Sequence, residues 1–285
     1  MSGSPRPAKN IFEVSCMWWP GKKKIARCAC CGSEVEQYLP LSDYFLDKFA
    51  QYRHPWQSFE MCNAPQYACP VCGAADRDRC AALGLRRLLP EQQREGYRLL
   101  HIAPSAPVAA FLQKNYPWIE VKTADLFMPG MDLKLDITHM PEVPDNSYDA
   151  LICIHVLEHV SSDRKALREF YRILKPGGFG ICVVPISLTQ RYTDEELGLT
   201  EEENWVRFGQ NDHVRMYEHG DSVSACSRRV SLSSSWAEKS SAPPLLPSRA
   251  CRRRRCSMWC TSCRTERSSD RLFQNEENEV ALCQG

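Results

Sequence analysis

The chain has 285 residues, 43% of them hydrophobic and 25% charged, which is enough for two compact units. Its formal net charge of +1 excludes a uniformly basic polyanion-binding protein. The charge is uneven, because residues 1–96 carry +3, residues 97–220 carry −6 and residues 221–285 carry +4. Contacts to phosphate dominate nucleic-acid binding, so the acidic middle segment makes nucleic acid a disfavoured but open substrate class.

No apolar run approaches the roughly 18 residues that a membrane span requires. The first residues, MSGSPRPAKN, contain no apolar signal region. Sixteen cysteines would indicate disulfides in a small secreted protein, but here four of them form paired motifs and no signal region precedes them. We therefore expect a reduced, cytoplasmic setting and no membrane partner.

Two short cysteine motifs give the strongest metal signal. Cys28-Ala-Cys-Cys31-Gly and Cys69-Pro-Val-Cys72-Gly each place two cysteines three positions apart before a glycine. Two such knuckles supply four thiolates, the usual structural zinc environment. The predicted Zn²⁺ ligands are Cys28, Cys31, Cys69 and Cys72. Two unrelated cysteine pairs remain the alternative, and a structural zinc need not touch substrate.

These motifs predict a zinc-ribbon-like domain over residues 21–96, after a flexible N-terminus at 1–20. An amphipathic helix is predicted at 41–52, between the two knuckles, because apolar residues recur there at helical spacing. A second helix, at 80–89, links the ribbon to the following segment, and Pro90 ends it.

Residues 97–138 alternate between apolar runs and a helical pattern. Strands are predicted at 97–103, 118–126 and 133–138, with a helix at 108–115. Only five residues separate Leu126 from Asp132, so a crossover helix between the second and third strands is missing or reduced to a turn.

Residues 148–185 read YDALICIHVLEHVSSDRKALREFYRILKPGGFGICVVP. The apolar run at 150–154 predicts a strand buried on both faces, and 179–184 predicts a second. Between them, a helix starts at the Ser-Ser-Asp of 161–163. Lys-Pro-Gly-Gly is expected to stop this helix in a tight turn, because proline cannot continue it and glycine accepts a left-handed cap. The result is a parallel, right-handed βαβ unit.

This stretch resembles the second half of the class I S-adenosylmethionine-dependent methyltransferase domain, closest to the type 11 subgroup. The resemblance extends upstream and covers roughly residues 97–220. It implies an α/β fold, with a Rossmann-like sheet and helices on both faces. It also implies methyl transfer from S-adenosyl-L-methionine to an acceptor. The acceptor, a small molecule or a macromolecule, is unknown, because function lies in sites rather than folds.

The resemblance also implies cofactor-binding positions. Asp125 would hold the ribose hydroxyls, Asp136 the adenine amino group, and Ile137 would cover the adenine ring. The loop after the first strand would lie alongside the methionine portion of the cofactor. The full set is His101, Ala103, Pro104, Asp125, Asp136, Ile137 and Cys153.

The loop after the first strand departs from the family pattern. Ala103 stands where relatives usually have glycine, and His101 where an acidic residue is common. Either the cofactor binds over a differently shaped loop, or binding has been lost. In the second case the chain is a zinc-ribbon interaction module on a cofactor-free scaffold. A third alternative is an RNA-modifying methyltransferase whose ribbon grips the nucleic acid.

His155 and His213 are the candidate catalytic residues. His155 follows the fourth strand, near the transferable methyl group in the family, and could act as a general base if the acceptor is protonated. His213 lies in WVRFGQNDHVRMY, which resembles a subgroup signature that could close over the acceptor. A structural role remains open for both histidines.

The resemblance fails near residue 220, where a Ser/Arg/Cys-rich tail replaces the last strands of the family. The tail at 221–285 could be a disordered basic segment or a further metal site using Cys256, Cys260 and Cys263. We favour a frameshift in the coding sequence, because one alternative reading frame could encode both the helix end and the strand that are missing from this chain. The C-terminal strands are therefore predicted to be missing or aberrant.

Overall fold

The computed structural model describes residues 26–219 and one further strand at 279–282. The strands are β1 (Ala26–Arg27), β2 (Glu34–Val35), β3 (Arg98–Ile102), β4 (Glu120–Asp125), β5 (Leu133–Lys134), β6 (Tyr148–Ile154), β7 (Leu174–Val183), β8 (Ile186–Ser187), β9 (Asp194–Glu195), β10 (Arg215–Glu218) and β11 (Glu279–Leu282). The helices are α1 (Asp43–Gln51), α2 (Asp76–Leu88), α3 (Ala106–Asn115), α4 (Asp163–Ile173) and α5 (Glu201–Phe208), with short 3-10 helices at Trp56–Ser58 and Ala64–Gln66.

A parallel sheet forms the centre of the molecule. Its strand order is β11-β7-β6-β3-β4-β5, and every neighbouring pair is parallel. β1 and β2 form a separate hairpin, while β10 lies between β8 and β9 in a small mixed sheet. The predicted α/β fold with a Rossmann-like sheet is confirmed.

The βαβ unit at the middle of the sheet follows from its sequence. Six of the seven residues of β6 are buried, as expected for a strand covered on both faces. The Ser162 side chain accepts a hydrogen bond from the amide of Lys165 and so caps the start of α4. The buried face of α4 consists of Ala166, Leu167, Phe170 and Ile173.

The Lys-Pro-Gly-Gly segment differs from its prediction. It lies inside β7, which begins at Leu174 directly after α4, so the predicted strand start at residue 179 is wrong. The segment forms an irregularity, because Tyr148 pairs with Leu174 while Ala150 pairs with Phe179. A Cβ atom on Gly178 would lie 2.9 Å from the carbonyl oxygen of Asp149. Glycine is therefore required here for close strand approach.

The two faces of the sheet are covered differently. One face packs against α2 and α3, and the same core cluster includes the buried Cys28, Cys30 and Cys69. The other face packs against α4 and the segment that contains Leu135, Ile137 and Met140. The cysteine motifs therefore belong to the hydrophobic core of the sheet, and the proposed division at residue 96 stays a prediction.

A third cluster joins the N-terminal segment to α5. The Tyr52 ring stacks on Trp205, with ring centroids 5.8 Å apart. Phe49 packs against the same tryptophan. Backbone hydrogen bonds continue this contact, since the Glu60 amide donates to the Ile186 carbonyl at 2.9 Å.

The tail contributes β11, which pairs in parallel with β7 along Phe179 to Cys182. The predictions for the N-terminus at 1–20 and for the rest of the tail, including its disorder and its cysteines, lie outside the described residues. Among the residues described, no helix has the length and apolar character needed to cross a membrane.

Candidate functional site

The two cysteine motifs fold into the same loop. In each, the amide of the closing glycine donates to the carbonyl of the first cysteine: Gly32 to Cys28 at 2.9 Å and Gly73 to Cys69 at 2.8 Å. The glycines have φ values of 81° and 73°. This left-handed conformation is accessible to glycine without strain, so the C-x-x-C-G spacing directly encodes the loop.

The loops bring four sulfur atoms together, which we call the cysteine cluster: Cys28, Cys31, Cys69 and Cys72. The Sγ atoms of Cys28 and Cys72 are 3.8 Å apart, and those of Cys31 and Cys69 are 3.9 Å apart. Zinc–sulfur bonds of 2.3 Å in a tetrahedron require about 3.8 Å between sulfurs. Burial raises the pKa of Cys28, and that of Cys72 to about 12, whereas hydrogen bonds from Ser33 outweigh burial at Cys31 and lower its pKa to about 6. The cluster can therefore hold one metal ion.

A second group of predicted site residues lies at the carboxyl edge of the sheet. The strand order reverses between β3 and β6, and ligands of such sheets bind in the crevice outside the strand ends at this point. Ala103 and Pro104 directly follow β3, and His155 directly follows β6. Asp125 ends β4, so the structure places these predicted residues along one edge.

The loop after β3 has the backbone geometry of glycine although it contains none. Ala103 has φ 44°, in the left-handed region, and its amide donates to the Ala124 carbonyl at 2.8 Å. His101 is 1% exposed, and neither ring nitrogen has a hydrogen-bond partner. Burial lowers the His101 pKa to about 4, so the ring is neutral near pH 7.

Asp125 and Asp136 have similar local roles. Oδ1 of Asp125 accepts hydrogen bonds from the amides of Phe127 and Met128, at 2.7 and 2.8 Å. Oδ1 of Asp136 accepts from the amide and the hydroxyl of Thr138. Each carboxylate is thus oriented through one oxygen, and the other can accept hydrogen bonds from a ligand.

Two of the predicted cofactor-binding residues have side chains that are buried and not exposed at this edge. Ile137 is 5% exposed and belongs to the core beneath the sheet. Cys153 is 0% exposed inside β6, in the same core cluster. Neither side chain offers a ligand appreciable surface. β5 is also shorter than predicted and ends at Lys134, so Asp136 lies in a loop beyond it.

The turn after β6 carries a buried carboxylate surrounded by histidines. Glu158 is 0% exposed, and neither carboxylate oxygen has a hydrogen-bond partner among the residues that the structure describes. The Nδ1 atom of His155 lies 2.8 Å from its Oε1, within ion-pair distance but outside hydrogen-bonding geometry. Oε1 is also 4.0 Å from Nε2 of His159 and 4.0 Å from Nε2 of His213. We call Glu158, His159 and His213 the histidine–glutamate cluster.

The ionisation of this region follows from burial and neighbouring charge. Burial opposes ionisation of Glu158, but the three histidines outweigh it and hold its pKa at about 2. Burial lowers the pKa of His213 to about 4. For His159 the effect of burial is reversed by the hydrogen bond to Asp212, so its pKa is raised. The ionised carboxylate of Glu158 therefore faces two different imidazoles. The pKa of His213 is lowered, so its ring is neutral near pH 7, whereas the pKa of His159 is raised.

Two features hold the turn in place. Arg215 is fully buried and donates hydrogen bonds to the carbonyls of Leu157 and Val160, on either side of Glu158. His155 has φ 52°, a strained conformation for a residue other than glycine. Its amide donates to the Val183 carbonyl at 2.8 Å, which ties the strained residue to β7. The turn is thus fixed by long-range contacts.

Sequence patterns did not reveal these contacts. In the sequence, Arg215 stood out only as part of a motif. Its hydrogen bonds to the carbonyls of Leu157 and Val160 join residues more than fifty positions apart. His155 directly follows β6 and α4 begins at Asp163, both as predicted, but the sequence did not show the turn between them. The left-handed φ at Ala103 and at His155 has no local sequence signal, because neither residue is glycine.

Comparison with known proteins agrees with the fold. The family model described as "Methyltransferase domain" matches residues 81–182, from α2 to β7, and this confirms the resemblance over about a third of the chain. No curated protein matches the chain.

Solved structures give weaker similarities. The YcgJ protein of Bacillus subtilis is 20% identical, with 52% of this chain and 66% of that chain covered and a TM-score of 0.35. A methyltransferase–activator complex of Haloferax volcanii is 19% identical, with 51% of this chain and 65% of that chain covered and a TM-score of 0.36. Phosphoethanolamine N-methyltransferase 2 of Haemonchus contortus was solved with S-adenosyl-L-methionine. It is 18% identical, with 55% of this chain and 37% of that chain covered and a TM-score of 0.38. The chain thus spans less than two thirds of each structure, and these similarities do not bear on the substrate.

Proposed function

We propose that this protein is an S-adenosylmethionine-dependent methyltransferase with a structural zinc ion and an unidentified acceptor. The observation that carries the proposal is the match of residues 81–182 to the methyltransferase domain model, in a sheet whose reversal point exposes Ala103 and His155. Methyl transfer needs mainly alignment of the acceptor with the methyl carbon, which a crevice with fixed walls provides.

The residues at the carboxyl edge fit the cofactor. The left-handed backbone at Ala103 lets the loop pass close to a ligand, as glycine does in relatives. Asp125 would accept hydrogen bonds from ribose hydroxyls through the oxygen that does not cap its turn. Asp136 would face the adenine amino group in the same way. When bound, the cofactor supplies an electrophilic methyl group to an acceptor nucleophile.

His155 is the proposed base for an acceptor that carries a proton. Its side chain is 25% exposed, and the residue directly follows β6 at the reversal point. Oε1 of Glu158 lies 2.8 Å from its Nδ1 atom. A buried carboxylate in this position orients the imidazole. His213 is 6% exposed and lies deeper, so we assign it a supporting role.

Zinc at the cysteine cluster is proposed to be structural. Four thiolates close a tetrahedral site and leave no position for substrate. The cluster packs into the same core as α2 and α3. The metal would therefore hold one face of the sheet in place.

The test is calorimetric titration of S-adenosyl-L-methionine into the zinc-loaded chain, with Asp125→Asn as the variant. Asparagine keeps the oxygen that accepts from the Phe127 amide but removes the charge offered to the ribose. Hydrogen bonds to a charged group contribute about 1.5–3 kcal/mol, so we expect about 10- to 100-fold weaker binding. Glu142→Gln, a change at an exposed position, is the matched control and should bind normally.

Failure of the folded wild-type chain to bind the cofactor would refute the proposal and favour the interaction-module alternative. Equal affinity of the wild type and Asp125→Asn would instead remove Asp125 from the site. If the cofactor binds, a screen of acceptors with radiolabelled methyl groups identifies the substrate, and RNA is one arm of that screen.

A further inference from the structure

Within residues 26–219 and 279–282, the buried carboxylate of Glu158 has one close ion-pair partner, the imidazole of His155. It has no exposed surface and accepts no hydrogen bond, although burying an ionised carboxylate without compensation is strongly unfavourable. His155 lies close to Oε1, but its Nδ1 does not meet hydrogen-bonding geometry. Nε2 of His159 and of His213 both lie 4.0 Å from the same oxygen, too far for a hydrogen bond.

The other nitrogen of each imidazole is already engaged. Nδ1 of His159 lies 3.2 Å from a carboxylate oxygen of Asp212. Nδ1 of His213 lies 3.3 Å from the Phe208 carbonyl, which can only accept, so this nitrogen carries the proton. In each ring, the tautomer with its proton on Nδ1 leaves the lone pair of Nε2 free to bind a cation shared with the carboxylate of Glu158.

This arrangement is typical of metal-binding histidines. A ligating histidine usually donates its second nitrogen to a carboxylate or a backbone carbonyl, which fixes the tautomer and the ring orientation. Asp212 and the Phe208 carbonyl supply one of each. The three candidate ligand atoms lie within 4.8 Å of one another.

We propose that Glu158, His159 and His213 form a second metal site, which binds one divalent first-row transition-metal cation. Two imidazoles and a carboxylate suit Zn²⁺, Co²⁺, Ni²⁺ or Fe²⁺ better than Ca²⁺ or Mg²⁺. Bonds of about 2.1 Å put tetrahedral ligand atoms about 3.4 Å apart, so the 4.0 Å separations must close by about 0.6 Å. Small side-chain rotations achieve this.

Three ligands leave at least one coordination position open, unlike the closed cysteine cluster. His159 is 27% exposed and His155 is 25% exposed, so the site is reached from the side of these two rings. The proposal does not depend on methyltransferase activity.

The test uses the full chain with its cysteine cluster saturated by Zn²⁺, to which Co²⁺ is added. We expect one further equivalent of Co²⁺, measured by calorimetry and by visible absorption without thiolate-to-cobalt charge transfer. His159→Gln and His213→Gln should each weaken this binding at least tenfold. His54→Gln, which changes another buried histidine outside the cluster, is the matched control and should bind normally.

His159 is partly exposed, so its variant should fold even if His213→Gln does not, and circular dichroism checks both. The proposal is overturned if the folded wild type takes up no second equivalent. It is also overturned if a folded His159→Gln variant binds Co²⁺ as tightly as the wild type. Either result would leave His155, at 2.8 Å, as the partner of the buried Glu158 carboxylate.

Discussion

The cysteine cluster and the histidine–glutamate cluster gather polar side chains in opposite ways. The first is built twice from one local loop, with identical ligands and a glycine that closes each turn. The second combines a turn after β6 with residues 212–215, and Arg215 holds the two segments together. The first cluster therefore follows from two short motifs, whereas the second depends on the packing of distant segments and keeps His159 27% exposed.

The largest effect is expected from the cysteine cluster. Cys69→Ser, or removal of zinc with a chelator, should unfold the segment that covers α2, because structural zinc contributes on the order of 10 kcal/mol to the folding of small metal domains. Thermal unfolding and metal content measure this. Cys30→Ser is the control, since Cys30 is a buried cysteine in the other of the two loops, between two members of the cluster but outside it. Equal loss in both variants would mean that packing, not metal, maintains the loop.

The next effect concerns Arg215. Arg215→Met should lower the free energy of unfolding by about 3–5 kcal/mol, because the carbonyls of Leu157 and Val160 lose charged donors in a buried site. The cysteine cluster should keep its metal, so the variant separates the two regions. Urea denaturation measures the change, with the exposed Arg168→Met as control. A loss below 1 kcal/mol would show that the turn does not depend on Arg215.

A smaller effect is expected from His101, a buried histidine without a carboxylate beside it. Its pKa is about 4 in the folded protein and about 6.5 in the unfolded chain, so only the unfolded chain binds a proton between these values. Its contribution to stability is complete above pH 6.5, and about 3 kcal/mol is lost as the pH falls to 4. His101→Leu should remove this part of the acid sensitivity in urea titrations at pH 7.5 and 4.5, whereas the exposed His139→Gln should not. Identical acid sensitivity in His101→Leu would contradict the assignment.

The smallest effect tests the orientation of His159. Asp212→Asn weakens the acceptor at Nδ1 and should reduce Co²⁺ affinity of the histidine–glutamate cluster by about tenfold, as expected for an outer-shell partner. The exposed Glu202→Gln is a control for the change in net charge. Unchanged affinity in Asp212→Asn would show that the contact does not orient a ligand.

The sequence predicted what depends on local spacing. The four converging cysteines followed from two C-x-x-C-G motifs, and β6 with α4 followed from an apolar run and a capped amphipathic helix. Lys-Pro-Gly-Gly was predicted to end the helix in a turn, and α4 does end before it, with a φ of 76° at Gly177. Only the start of the following strand was wrong, since β7 already begins at Leu174 and the segment forms an irregularity in its pairing with β6. His155 and His159 are local neighbours of Glu158 in the sequence, but His213 lies more than fifty positions away, so no local pattern could show that it joins them. The cofactor and catalytic assignments stay predictions.

The stacking of Tyr52 on Trp205 has a consequence for synthesis. About 150 residues separate the two rings, so the N-terminal segment cannot complete its packing until α5 has left the ribosome. At typical elongation rates of about 5–20 residues per second, this delay is on the order of 10 to 30 s. During that interval the apolar surface around Phe49 stays uncovered. Packing of the N-terminal segment is therefore completed only after most of the sheet has been synthesised.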